Sequence, residues 1–238
     1  LTVDNPPVNP LSDGIRTGVY ESIIKAQEDD SVIGVVLTGN GRAFIAGADI
    51  SEFGGQIEGK TLNEMFEKLE FCTKPVVAAI NGLALGGGLE TALCCNYRIA
   101  DSKAIVGLPE VNLGLLPGGG GTQRLPRLAG PAEALKMMLS GMHISAKKAL
   151  DMGIIDKISE NVVDDSIEFI KEVSKNTEHH PKVRDFNEKV IDARGNDNIL
   201  LEAQAMAAKT RKGQFAPGQI IKCVESAINI DDFDEGLK

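Results

Sequence analysis

The chain has 238 residues, 42% hydrophobic and 25% charged, which fits one globular domain, or one plus an appendage, with a core large enough to need no staples. Thirty-four acidic against twenty-five basic side chains leave a net charge of −9, which argues against nucleic-acid phosphate binding as the main task. No apolar run approaches the roughly 18 residues of a membrane span, and the start, Leu1-Thr2-Val3-Asp4, lacks the basic and apolar regions of a signal peptide.

In chain order, Val32-Ile33-Gly34-Val35-Val36-Leu37-Thr38, closed by the turn signal Gly39-Asn40-Gly41, predicts a strand. Residues 43–46 predict a second strand, and 75–80 a third that opens on a proline. Between them, apolar residues at 62, 65, 66 and 69 have the spacing of an amphipathic helix. Residues 89–95 read as a short buried helix, and 97–100 and 104–107 as strands. Strands alternating with helices predict an α/β layered fold. Beyond Pro131 the chain turns helical, over 131–140, 145–152, 164–174, 199–210 and 216–228. Ser145 and Asp164 stand at N-cap positions, and Pro131 and Pro217 in first turns. Residues 155–158 read as a last strand, and polar segments 176–181 and 195–198 as hinges or linkers. Cys72, Cys94, Cys95 and Cys223 form no CxxC pair or zinc-type spacing. They read as buried free thiols, which points to a cytoplasmic or other reducing compartment.

Three glycine-rich places could approach a ligand: Ala46-Gly47-Ala48-Asp49, Leu85-Gly86-Gly87-Gly88-Leu89-Glu90 and Pro117-Gly118-Gly119-Gly120-Gly121-Thr122. None fits GxxxxGK(S/T), and GxGxxG fails at its last glycine, so the nucleotide-phosphate readings fail on spacing. Strand, glycine turn and helix remain. The helix start at Gly87 and Gly88 would aim free N–H groups and a positive dipole end at an oxyanion. Glu90 follows at roughly 4.5 Å along the axis. Taken singly, Glu90 reads as a carboxylate that complements the helix dipole, Glu110 as a loop acid and Asp49 as a cap or turn residue. Their combination is what carries information.

That combination resembles the crotonase superfamily of enoyl-CoA hydratases and isomerases. The matching blocks are NPPVNPLS at 5–12, AFIAGADISEF at 43–53, KPVVAAINGLALGGGLETALCCNYRIAD at 74–101 and VGLPEVNLGLLPGGGGTQRLPRLAG at 106–130. CNYRIA with VGLPEV, and RKGQFAPGQIIKCVESA at 211–227, look most like the hydratase part of bifunctional β-oxidation enzymes. The resemblance implies an α/β spiral of ββα units with a helical C-terminal region, divided into a catalytic core over 1–175 and a helical extension over 176–238. It implies an acyl-CoA thioester substrate and no metal or redox cofactor. The family's oxyanion hole falls on the backbone of Ala48 and Gly87, its catalytic glutamates on Glu90 and Glu110, and its CoA contacts near Val8, Ala46, Asp49 and Ile50.

The activity implied is hydration of a 2-enoyl-CoA, with Glu90 activating water and Glu110 supplying the α-proton. The alternatives are 3-enoyl to 2-enoyl isomerisation and non-catalytic CoA-ester binding. Thr91, Gly119 and Ile45 depart from the usual pattern and bear on acyl-chain preference. Lys103, Arg124, Arg127, Arg211 and Lys212 are candidates to hold the CoA phosphates, against the plainer reading of solvated surface charges. A homotrimer or hexamer is expected of a stand-alone member. The missing initiator Met and the acidic end suggest instead a piece of a longer polypeptide, with a fused 3-hydroxyacyl-CoA dehydrogenase beyond Lys238.

Overall fold

Two short strands and then a helix recur along the first half of the chain, and this repeat builds the architecture. In the computed structural model, residues 1–52, 54–55, 59–176 and 179–238 are described. After β1 (Thr2–Val3) and α1 (Asp13–Glu28), the first unit is β2 (Val35–Gly39), β3 (Ala43–Ile45) and α2 (Leu62–Glu70). The second is β4 (Val76–Ile80), β5 (Leu83–Leu85) and α3 (Gly87–Cys94), and the third β6 (Tyr97–Asp101), β7 (Ile105–Gly107) and α4 (Gly121–Ala129). Then come α5 (Pro131–Ser140), β8 (Ile144–Ser145), α6 (Ala146–Asp151), β9 (Lys157–Ser159) and α7 (Val162–Asn176). The first strand of each unit enters a parallel sheet ordered β1-β2-β4-β6-β9, and the second enters another ordered β3-β5-β7-β8. The chain therefore spirals, one unit per turn, and among the described residues only β7 and β8 pair antiparallel.

Central β4 is buried along all five residues. This is why Val-Val-Ala-Ala-Ile is continuously apolar: a parallel strand covered on both faces has no polar side to show. The switch from one sheet to the other needs sharp corners. A Cβ on Gly39 would stand 2.0 Å from the Ala43 carbonyl oxygen, and one on Gly82 2.2 Å from that of Arg42. Asn9 braces the first corner from the NPPVNPLS segment. It is 1% exposed, has φ 56°, and donates from Nδ2 to the carbonyls of Asn40 (2.9 Å) and Ala43 (2.8 Å). Asn9→Ala strands these acceptors and keeps the left-handed backbone, so we expect a loss of about 1–3 kcal/mol, read by equilibrium denaturation.

Past residue 180, α8 (Glu188–Ile191), α9 (Asn198–Thr210), α10 (Ala216–Asn229) and α11 (Phe233–Leu237) fold back on α4 and α5. Val183, Ala203, Ile220 and Val224 join the same apolar cluster as the sheets. No helix among the described residues is long and apolar enough to cross a membrane.

Several elements differ from the sequence expectation. α1 escaped it because Gly14 and Gly18 lower its helix propensity and a charged residue, Arg16, lies on its buried side. α4 escaped it because it follows three glycines, opens on a fourth and contains Pro126. α7 begins at Val162, which puts Asp164 in the first turn and not at the cap. The acidic end forms α11, whose Asp232 side chain accepts from the Glu235 N–H (2.9 Å). The cysteines carry no disulfide: Cys72, Cys94 and Cys95 are buried and Cys223 half-buried. Phe53, in the AFIAGADISEF block, lies outside the described residues, as do two residues of the 176–181 segment.

Candidate functional site

The site is organised around the start of α3. Gly86, with φ 54° and ψ −126°, takes a backbone conformation that suits glycine. A Cβ on Gly88 would lie 1.9 Å from the Ile45 carbonyl oxygen, so α3 packs directly on the end of β3. Every residue of α3 is buried, which accounts for its apolar sequence. Thr91, the departure noted above, is accommodated because its hydroxyl donates to the Gly87 carbonyl (2.7 Å).

A cavity of about 430 Å³ opens at this helix start. Ala46, Ala48, Ile50, Gly87, Glu90 and Glu110 all line it, with Leu62, Leu85, Leu113, Leu115, Leu116 and His143 completing the wall. As the first residue of α3, Gly87 has an N–H with no partner in its own helix. Its Cα side lies against the Ala48 backbone, the Ala48 nitrogen being 3.5 Å from where a Gly87 Cβ would stand. The Ala48 strand end is held from outside: the Leu11 N–H donates to the Gly47 carbonyl (2.9 Å), and the Ala46 N–H to the Val8 carbonyl (3.1 Å).

Val8 and Asp49 fall outside this cavity. Val8 contributes its carbonyl as a backbone tether. Asp49 lines an adjoining cavity of about 560 Å³, which shares Ala48, Leu62 and Gly118 with the first. Its carboxylate accepts from the Ser51 N–H (3.0 Å) and hydroxyl (2.6 Å), the turn role that the residue suggests in isolation.

The two glutamates occupy unlike environments. Glu90 is 3% exposed, and its Oε1 accepts from the N–H groups of Gly119 and Gly121, both at 2.8 Å. Oε2 is left for another partner. Burial holds this carboxyl above the usual carboxylate range, outweighing the two N–H bonds and the Arg124 guanidinium that pull it down. Glu110 opens a short 3-10 turn behind Pro109. Its Oε2 is buried without a hydrogen-bond partner. Burial first, and then the charge of Glu90, push its carboxyl up to about 8. Both buried acids thus stand above the usual carboxylate range, Glu90 with two backbone donors on Oε1 and Glu110 with Oε2 unpartnered, and the charge of one raises the other.

The sequence marks the third glycine run as a place where backbone could approach a ligand, but not as the source of donors to Glu90. The close packing explains the run itself. A Cβ on Gly119 would meet Phe66 Cε2 at 2.2 Å and Glu90 Oε2 at 2.7 Å, and one on Gly121 would meet Glu90 Oε1 at 2.9 Å.

The basic candidates divide sharply. Arg124 and Arg127 are not surface charges. Both are buried, Arg124 in a two-pronged pair with Glu70, and both guanidinium groups lie about 5 Å from the Phe233 ring centre (5.0 and 4.9 Å). Arg211 is tied to Asn112 Oδ1 (2.6 Å) and the Ser140 carbonyl (2.7 Å). Lys103 and Lys212 are exposed. None of the five lines the cavity. Among the described residues, no three His, Cys, Asp or Glu side chains gather in a way that could hold a metal ion.

Comparison with known proteins identifies the family of this fold. The profile of the family described as enoyl-CoA hydratase/isomerase matches residues 1–219. The chain is 41% identical over 240 residues to the peroxisomal bifunctional enzyme of Danio rerio, covering 100% of this chain and 33% of that protein. It is 46% identical over 162 residues to a probable enoyl-CoA hydratase of Bacillus subtilis, covering 65% of this chain and 63% of the relative. Among solved structures, the enoyl-CoA hydratase of Bacillus anthracis superposes with a TM-score of 0.68 at 29% identity, over 95% of this chain and 86% of that one. The chain thus spans about a third of the bifunctional relatives it matches. With its ββα spiral and helical C-terminal region, it belongs to the crotonase superfamily, in the enoyl-CoA hydratase/isomerase family, and is related to the N-terminal part of the peroxisomal bifunctional enzymes.

Proposed function

We propose that this chain hydrates 2-enoyl-CoA thioesters to 3-hydroxyacyl-CoA. The observation that carries the reading is the unequal pair of carboxylates in one apolar-walled cavity: Glu90 under two N–H donors, Glu110 buried with an unpartnered oxygen. Hydration needs a base for water and an acid for the α-carbon at the same time. Glu90, whose Oε1 is held by two backbone N–H donors, is the proposed base that holds and activates the water through Oε2. Glu110, the member kept protonated, delivers the proton to the α-carbon. An isomerase shuttles one proton and has no water to activate.

As water adds to the β-carbon, negative charge collects on the thioester oxygen. The N–H groups of Ala48 and Gly87 are the proposed donors to it, with the α3 dipole behind Gly87. A preorganised donor of this kind is worth about 10²–10³ in rate. Dehydration of the product uses the same groups with roles exchanged. The CoA moiety is proposed to run along Ala46, Ile50 and the neighbouring Asp49 segment. A reducing compartment is proposed on the free thiols, whose burial pushes Cys95, for instance, up to about 12.

The experiment is addition of the protein to crotonyl-CoA while the conjugated-thioester absorbance is followed. We expect the absorbance to fall. A 3-enoyl-CoA gaining absorbance while no 2-enoyl-CoA of any chain length loses it would replace hydration by isomerisation. Inertness toward both would leave a CoA-ester-binding role.

A further inference from the structure

Behind the wall formed by Gly118 and Gly119 lies a third cavity, of about 430 Å³, and its charged side chains have no role in the reaction proposed above. Glu70 on α2 and Arg124 on α4 are 3% and 4% exposed. Arg124 donates from Nε to Glu70 Oε1 (2.9 Å) and from Nη2 to Glu70 Oε2 (2.7 Å). The remaining prong, Nη1, donates to the Gly119 carbonyl (3.0 Å). The backbone of Arg124 closes the same turn, its N–H donating to the Gly120 carbonyl (2.9 Å). Gly120 sits at φ 90°, and a Cβ there would be 2.3 Å from Nη1, so glycine lets the guanidinium lie flat against the loop. Residues 119 and 121 of that loop give Glu90 its two N–H bonds.

A buried ion pair is a poor device for stability alone, because desolvation offsets its attraction. Here it is aimed at a catalytic carboxylate. We propose that the Glu70–Arg124 pair is the positioning unit of Glu90, fixing the glycine turn that holds Oε1 and setting the electrostatic field behind that carboxylate. Among the described residues, the charged and titratable groups that act on Glu90 and the pair include Glu110 from the short turn, Cys94 on α3 and Arg127 on α4. Arg184 reaches Glu70 Oε2 at 3.6 Å and pairs in turn with Asp234 of α11. The claim rests on the hydratase reading for its kinetic assay.

The test is the pH dependence of kcat/KM and the separate kcat and KM for crotonyl-CoA in three variants. Arg124→Met removes a positive charge near Glu90, so the acidic limb moves up by about one pH unit, with loss carried by kcat more than KM. Glu70→Gln leaves the guanidinium uncompensated, so the limb moves down. Arg124→Lys keeps the charge without the fork, so the limb stays near its wild-type position while kcat falls. The double variant Glu70→Met/Arg124→Met strands no charge and covers the case where a single variant fails to fold. NMR titration of carbon-labelled glutamate in the same proteins reads Glu90 without turnover. Wild-type kcat in the folded double variant would overturn the proposal, as would limbs, or Glu90 titrations, that move the same way in Arg124→Met and Glu70→Gln. A wild-type protein inert toward crotonyl-CoA would instead overturn the hydratase reading, and the NMR shifts would still decide the positioning claim.

Discussion

Glu90→Gln is expected to lower kcat for crotonyl-CoA hydration by about 10²–10⁴, the usual worth of a positioned acid–base group, with KM little changed. The amide can still sit near the Gly119 and Gly121 N–H groups that now bond Oε1 at 2.8 Å, but it cannot accept a proton from water. Glu110→Gln is expected to cost a similar factor, because an amide does not deliver a proton to carbon. The two differ in pH dependence. The proposed hydration needs Glu110 protonated, and its carboxyl is pushed up to about 8 by burial and by the Glu90 charge. The rate therefore holds below that value and falls as pH rises through it. In Glu110→Gln the residual rate has lost this alkaline limb. In Glu90→Gln the charge that helps raise Glu110 is gone, so the limb moves to lower pH. Near-wild-type kcat in either folded variant would remove that residue from the mechanism.

The second large effect concerns a residue with no functional group. Gly88→Ala is expected to lower kcat by about 10²-fold, since a shift of roughly 1 Å in reacting groups costs about that much. The new methyl would meet the Ile45 backbone carbonyl at 1.9 Å, and neither β3 nor the buried α3 has a flexible end that can yield. The helix must back away from β3, and Gly87 and Glu90 move with it. Overpacking of this kind also costs about 1–3 kcal/mol. Turnover beside denaturant unfolding separates the two: loss of kcat in protein that remains folded is the expected pattern. Wild-type turnover in a folded Gly88→Ala protein would mean that the α3 start need not sit this close to β3.

What could be read from the sequence follows from how local its cause is. Strands such as Val76–Ile80 and the strand–glycine–helix passage into α3 declare themselves through runs of neighbouring residues. Glu90 and Glu110 emerged because motifs in a fixed order surround them. The environment of Glu90 did not, because its donors are backbone N–H groups 29 and 31 residues away that leave no mark on side-chain identity. Arg124 and Arg127 misled for the same reason. An arginine reads as exposed until the partner that balances it is known, and Glu70 lies 54 positions from Arg124. The short apolar stripe of α4, Leu125, Leu128 and Ala129, is outnumbered by residues that read as surface, since the helix also buries Gln123, Arg124 and Arg127 against partners on α10, α2 and α11. Val8 was placed beside the ligand by its motif, yet what its segment supplies is a carbonyl that holds Ala46. Proximity in a motif did not distinguish a tether from a cavity wall.

Addition of water by two unequal carboxylates, as against movement of a proton alone, is decided by turning over crotonyl-CoA in heavy-oxygen water and weighing the product. The expected product is a 3-hydroxyacyl-CoA that carries one solvent oxygen at the β-carbon, formed by the wild type and lost in Glu90→Gln. A wild-type protein that exchanges or relocates protons on enoyl-CoA substrates, yet never incorporates solvent oxygen, would contradict hydration.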